Sequence, residues 1–237
     1  MARILILREI EAAKCTARRI EAAGHEAVLL PVQTILPLSP ALPPGPFAGL
    51  IVTSANALCG PALSALRHLP VLAVGQTSAR AARAAGFSAE AAGDGTGAGL
   101  VQSAAALAAR TGRPLLYAAG RVRTDGLENA LRASGIPHET IETYDTVDLE
   151  IEAAAVEAAF ARPVDAALIL SLGQARAFSR LLLRFPEETM PVPRALCLSS
   201  RIRDGLSPAL AAQALVAPER ELSSLLRRYD HPDTAEP

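Results

Sequence analysis

Four places in the chain set a Ser or Thr hydroxyl where an apolar strand gives way to a helix: Thr53-Ser54 after GLIV, Thr77-Ser78 after VLAVG, Ser171 after LIL and Ser199-Ser200 after ALCL. The first turn of a helix leaves its leading N–H groups without intrahelical acceptors, and the aligned peptide dipoles add partial positive charge there. Such turns hold anions. One of them alone is an ordinary N-cap, a position that Ser and Thr favour. Four at equivalent places point to a cleft between lobes lined by neutral donors, because ligands of open parallel sheets sit at the carboxyl ends of the strands.

The stretch AVGQTSARAARAAGF (73–87) lacks the glycine pattern of a nucleotide loop. GDGTGAG (93–99) fails the same test, since GxGxxG would need glycine where Ala98 or Leu100 stands, although its N–H groups could still hold an anion. Acid–base and nucleophilic chemistry find little material. His25, His68, His138 and His231 stand beside no carboxylate or Ser in a recognisable pattern, and His25 and His138 read as surface-loop residues. There is no GxSxG and no HExxH. Cys15, Cys59 and Cys197 are widely spaced and odd in number, so they form no disulfide framework or zinc pattern and read as buried, inert thiols.

What positions these residues is an alternation of strand and helix. Short apolar runs at 3–7, 26–30, 49–53, 70–74, 114–118, 139–144, 166–170 and 194–198 read as strands of a buried, mostly parallel sheet. Helical spacing fills 10–23, 56–67, 77–86, 98–110, 124–134, 151–161, 174–185, 201–213 and 220–228, which makes the chain α/β. Half of the 237 residues are hydrophobic, and 23 basic residues against 24 acidic ones leave a net charge of −1. That balance argues against nucleic acid as partner. No apolar run approaches the roughly 18–20 residues of a membrane span, and a cytoplasmic location is expected.

The order of elements repeats. RILILREIEAAKCTARRIEAAGHEAVLLPVQTI (3–35) has the plan of RPLLYAAGRVRTDGLENALRASGIPHETIETYDTV (113–147), with Gly24 and Gly135 ending equivalent helices. GLIVTSANAL (49–58) then matches ALILSLGQAR (167–176), and PVLAVGQTSARAARAAG (70–86) matches PRALCLSSRIRDGLSPA (193–209). The expected architecture is two similar flavodoxin-like lobes, each a parallel sheet flanked by helices, joined by two extended linker strands. Residues 1–35 plus 149–237 form a discontinuous lobe, 38–142 the other, and 31–37 and 143–148 the linkers. The tail YDHPDTAEP reads as disordered.

Taken in order, TSANA (53–57), AVGQTSARAARAAGF, GDGTGAGL (93–100), LLYAAGRVRTDGLENALRASG (115–135), the YDT of ETYDTV and APERELSSLL (217–226) resemble uroporphyrinogen-III synthases over nearly the whole chain. The resemblance implies a cofactor-free and metal-free lyase that closes the linear tetrapyrrole hydroxymethylbilane while inverting its last ring. Loss of water from the hydroxymethyl group gives an azafulvene, the substituted carbon of ring D attacks it, and a spiro intermediate reopens before final closure. The same substrate closes unaided to the uninverted type I isomer, so the protein's task is to hold a geometry.

The resemblance further implies that Thr53, Ser54, Ala55, Gly75, Gln76, Thr77, Ser78, Gly120, Arg121, Ser171, Gly173, Ser199 and Ser200 bind acetate and propionate groups. It makes Tyr144 the general acid that assists loss of the hydroxyl. LSSRIRD (198–204) departs from the family's Gly and Thr pattern, and Arg121 with Arg123 either grip carboxylates or stand solvated. The expected enzyme is monomeric and receives its substrate by transient hand-over from hydroxymethylbilane synthase. The alternative is a non-catalytic two-lobe binder of a small anionic ligand.

Overall fold

Four strands of the computed structural model bury every residue rather than alternate ones. Leu50–Val52, Val71–Ala73, Leu115–Gly120 and Ala166–Ile169 have no exposed position, as parallel strands covered by helices on both faces require. The structure describes residues 1–92 and 97–231. Its strands are β1 (Arg3–Ile6), β2 (Glu26–Leu29), β3 (Gln33–Pro37), β4 (Leu50–Val52), β5 (Val71–Ala73), β6 (Ala89–Ala91), β7 (Leu115–Gly120), β8 (His138–Asp148), β9 (Ala166–Ile169), β10 (Arg194–Cys197) and β11 (Leu215–Val216). Its α-helices are α1 (Ile10–Ala22), α2 (Gln76–Ala84), α3 (Gly97–Thr111), α4 (Gly126–Ala133), α5 (Ala153–Phe160), α6 (Leu172–Arg184), α7 (Ser200–Arg203), α8 (Pro208–Gln213) and α9 (Leu222–Asp230).

The chain divides into two compact units, Met1–Thr34 with Asp148–Pro237, and Ile35–Val147. The first holds a sheet of order β11-β10-β9-β1-β2 and the second a sheet of order β3-β8-β7-β4-β5-β6. When the repeat copies are matched, β7 and β8 correspond to β1 and β2, while β4, β5 and β6 correspond to β9, β10 and β11. Both sheets then follow the doubly wound order 2-1-3-4-5. Each sheet combines the leading two strands of one copy with the trailing three of the other, and β3 is added at one edge. The order reverses between β1 and β9 in the first unit, and between β7 and β4 in the second.

Alternation within β1 divides the first core. Ile4 and Ile6 pack with Ile20 of α1 and Leu225 of α9, while Leu5 and Leu7 pack with Phe178 and Leu181 of α6. In the second unit, Leu115 and Tyr117 meet Leu100, Ala104 and Leu131 on one face, and Leu116 and Ala118 meet Phe87 and Leu63 on the other. The two glycines expected to end equivalent helices adopt φ +87° at Gly24 and +66° at Gly135, a left-handed conformation that glycine reaches without strain.

Several expectations need correction. The span 56–67 forms two 3-10 helices, Ala55–Leu58 and Pro61–Leu66, because Pro61 lacks an N–H and disfavours helical geometry at Gly60. The span 201–213 breaks into α7 and α8, with Pro208 restarting the helix at its first position. β6 and β11, of three and two residues, are too short to register as apolar runs. Tyr229 and Asp230 of the tail belong to α9, and 232–237 lie outside the described residues. Of the GDGTGAG run, 93–96 lie outside them as well, while α3 begins at Gly97.

Only Cys197 is buried; Cys15 and Cys59 are exposed. His25 is buried rather than a surface residue: its Nδ1 accepts the Ala2 N–H at 3.3 Å and its Nε2 lies 3.2 Å from Asp230. No helix among the described residues is long and apolar enough to cross a membrane.

Candidate functional site

Because the strands of each sheet's doubly wound part run parallel, their carboxyl ends share one edge, and each unit gathers its own set of donors there. In the second unit Ser54 ends the chain's exit from β4. Its extended backbone and its Oγ, which accepts the Asn56 N–H at 3.2 Å, cap the 3-10 helix that starts at Ala55. Thr53 Oγ1 shares a 3.1 Å hydrogen bond with the hydroxyl of Tyr117 on the neighbouring strand. Tyr117 is a partner of Thr53 that sequence reasoning missed: its ring is core, and burial pushes its phenol above the ordinary value although the bond to Thr53 works against the shift.

At the end of β5 the cap is Gly75, not the expected hydroxyl pair. Gly75 has extended φ and ψ, no side chain accepts from the first turn of α2, and Thr77 and Ser78 are the second and third helical residues. Thr77 is exposed and Ser78 buried. The backbone N–H groups of Gln76 and Thr77 are therefore the donors this helix start presents, and Ser78 contributes to the inner face of the helix.

Tyr144 reaches the same edge through a shift in register. Pairing of β7 with β8 runs regularly to Ala119 and Glu142, then skips Thr143, so that Gly120 lies opposite Tyr144. A bulge of this kind re-aims the side chains beyond it. The Tyr144 ring lies against Gly120: an added Cβ there would fall 2.6 Å from Cζ and 2.8 Å from Oη. The contact requires glycine.

Beyond Gly120, the two arginines have partners within the chain. Arg121 donates to Glu142 at 3.0 Å and to Asp145 at 3.1 Å. Arg123 joins Glu128, Glu142 and the Gly120 carbonyl. The guanidinium of Arg121, then that of Arg123, hold the Glu142 carboxyl below its ordinary 4.5. Burial works to raise Glu128, but hydrogen bonds from Arg123 and Thr140 leave it lowered on balance. The network ties both sides of the β7–β8 bulge together around the Tyr144 backbone, whose carbonyl accepts the Arg121 N–H at 2.9 Å.

In the first unit Ser171 caps α6 by accepting the Gln174 N–H at 3.2 Å, while the Gln174 amide oxygen accepts the Leu170 N–H at 2.8 Å. Gly173 leaves room for Gln33, whose Nε2 would lie 3.0 Å from an added Cβ. Ser199 caps α7 through the Ile202 N–H at 3.4 Å, and Ser200 is the first, exposed residue of that short helix.

The structure thus brings Thr53, Ser54, Ala55, Gly75, Gln76, Thr77, Gly120, Arg121 and Tyr144 to one edge of the second sheet. Ser171, Gly173, Ser199 and Ser200 stand at the corresponding edge of the first. Such edges can bind carboxylates through N–H groups and hydroxyls, and one of them carries a phenol, a group able to donate a proton.

A family model described as uroporphyrinogen-III synthase HemD matches residues 14–227. Among solved structures the chain is similar to a uroporphyrinogen-III synthetase from Helicobacter pylori, at 17% identity over 97% of this chain and 98% of that one, with a TM-score of 0.65. A mutant uroporphyrinogen III synthase from the extremely thermophilic bacterium Thermus thermophilus is similar at 19% identity over 97% and 98% of the two chains, with a TM-score of 0.49. No protein of curated function matches the chain.

Proposed function

Since the chain belongs to the uroporphyrinogen-III synthase family, whose members are cyclising lyases of tetrapyrrole synthesis, we propose how its residues close hydroxymethylbilane with inversion of the last ring. The family match over 14–227 carries the reaction and lends nothing to a non-catalytic binder. The ring of Tyr144 against Gly120, at the donor-bearing edge of the second sheet, supports the assignment of the proton donor.

Acetate and propionate carboxylates of the substrate dock on the N–H groups and hydroxyls at Thr53, Ser54, Ala55 and Gly75 to Thr77 in one unit, and at Ser171, Gly173, Ser199 and Ser200 in the other. A chain of net charge −1 binds a polyanion in this way because helix starts supply positive potential without formal charge. Arg121 meets Glu142 and Asp145 and acts on the substrate chiefly by holding the Tyr144 strand.

Tyr144 gives its phenolic proton to the hydroxyl leaving the hydroxymethyl carbon of ring A, which departs as water. The azafulvene that remains is attacked by the substituted carbon of ring D. The resulting spiro centre reopens, and the second closure releases a proton that restores the phenol. Gripping the carboxylates favours attack at the substituted carbon over the open one, which is positioning rather than bond chemistry.

A cytoplasmic location, action as a monomer and hand-over of the unstable substrate from its synthase belong to the same proposal. Turnover of in-situ generated hydroxymethylbilane tests it. The wild type yields the type III isomer, and Tyr144→Phe, folded by circular dichroism, turns over roughly 10²-fold more slowly; an unchanged rate would reduce Tyr144 to packing.

A further inference from the structure

Arg8 follows β1 by two residues, and its Nη1 donates to Thr16 Oγ1 at 3.0 Å. It makes no ion pair among the described residues, and burial pushes its pKa down although the adjacent Glu9 carboxylate works against the shift, which marks a guanidinium drawn partly out of water. Arg19 on α1 and Arg220 ahead of α9 are exposed and likewise lack an ion pair among the described residues. All three line one crevice of about 560 Å³, with Glu221 as the acid among its lining residues.

Even with Glu9 beside Arg8, three guanidiniums and one carboxylate among the lining residues leave an excess of positive charge facing the crevice. It is also lined by Leu170 and Leu198, the residues that follow β9 and β10. The crevice therefore opens beside the β1–β9 reversal in strand order, where sheets of this kind bind ligands. The planar fork of Arg suits a carboxylate bidentately, and the volume suits one acidic arm of a large molecule rather than the whole of it.

We propose that Arg8, Arg19 and Arg220 form a carboxylate-binding pocket of the first unit, which takes a side-chain carboxylate of the tetrapyrrole; this rests on the synthase reading. The pocket adds formal charge to the neutral donors of Ser171 and Ser199, and its contribution weakens with salt. Glu221 keeps it from holding a second carboxylate as tightly as the first.

The test uses Arg19→Ala/Arg220→Ala, both exposed positions, in the full chain, with thermal unfolding to verify the fold. Calorimetry at low salt with tricarballylate, a free tricarboxylate, should show binding to the wild type and at least tenfold weaker binding to the double variant. KM for hydroxymethylbilane should rise at least tenfold while the product remains the type III isomer.

Equal tricarballylate affinity in the two proteins, or none in either, would overturn the pocket. Weakened tricarballylate binding with an unchanged KM would overturn its assignment to the substrate and leave a free small acid as occupant. A wild type that makes no type III isomer would instead sink the synthase reading, and the calorimetry would still decide whether the pocket binds carboxylates.

Discussion

Gly120→Ala places a methyl carbon 2.6 Å from Tyr144 Cζ and 2.8 Å from both Cε2 and Oη. Carbon atoms in contact lie at about 3.5–4.0 Å, so the overlap approaches an ångström and the ring must move. Overpacking of this order costs about 1–3 kcal/mol, or roughly 2–12 °C in melting temperature for a chain of this size. If Tyr144 donates the proton, the displaced phenol also costs roughly 10²-fold in turnover, since a shift of about 1 Å at a reacting group has that effect.

The control is a double-mutant cycle. In a Tyr144→Ala background the methyl meets no ring, so Gly120→Ala becomes neutral or slightly stabilising by restricting the unfolded chain. Thermal melts of the four proteins give the coupling energy, and turnover of the two single variants gives the catalytic part. A Gly120→Ala cost that is the same in both backgrounds would refute the contact. Full activity in Gly120→Ala, with the ring demonstrably displaced, would refute the role given to Tyr144.

Other outcomes follow from individual groups. Glu142 is held below its ordinary 4.5 by Arg121 and Arg123, so its ionised form stabilises the fold above that value and the contribution is lost as pH falls through the lower folded value. Because the carboxylate is partly exposed, the stability gap between wild type and Glu142→Gln should be only about 0.2–1 kcal/mol at neutral pH and shrink below 4.5; a gap that grows with acid would contradict the ion pairs. Burial pushes the Cys197 thiol up to about 11, whereas Cys15 and Cys59 are exposed. A thiol reagent near neutral pH should modify two cysteines in the native protein and the third only on unfolding, and rapid native reaction at three would show the β10 core to be open.

How far this could be read from the chain differs by feature. The repeat was legible because both copies use the same apolar runs and the same terminal glycines, and the two sheets accordingly share one strand order. The strand-end serines were legible where they cap: Ser54, Ser171 and Ser199 each accept an N–H from the following turn. Ser78 was misplaced because α2 begins at Gln76, behind a glycine whose backbone adopts the cap conformation without a side chain.

The bulge that sets Tyr144 against Gly120 has no local signature, since it depends on which residues of β7 lie opposite β8. Tyr117 was hidden for a similar reason. Its ring follows the strand's apolar pattern, and only pairing with β4 shows that the hydroxyl meets Thr53. Of the acids around Arg121 and Arg123, Glu128 stands nearby on α4, whereas Glu142 and Asp145 belong to β8 and only the strand pairing brings them in.

The central claim is that the protein holds hydroxymethylbilane in the geometry that inverts ring D. It is tested most directly by the isomer composition of the product formed from freshly generated substrate, oxidised and separated chromatographically. The account predicts that type III uroporphyrinogen predominates in the presence of the protein, while type I forms in its absence. Type I alone in both samples would contradict it.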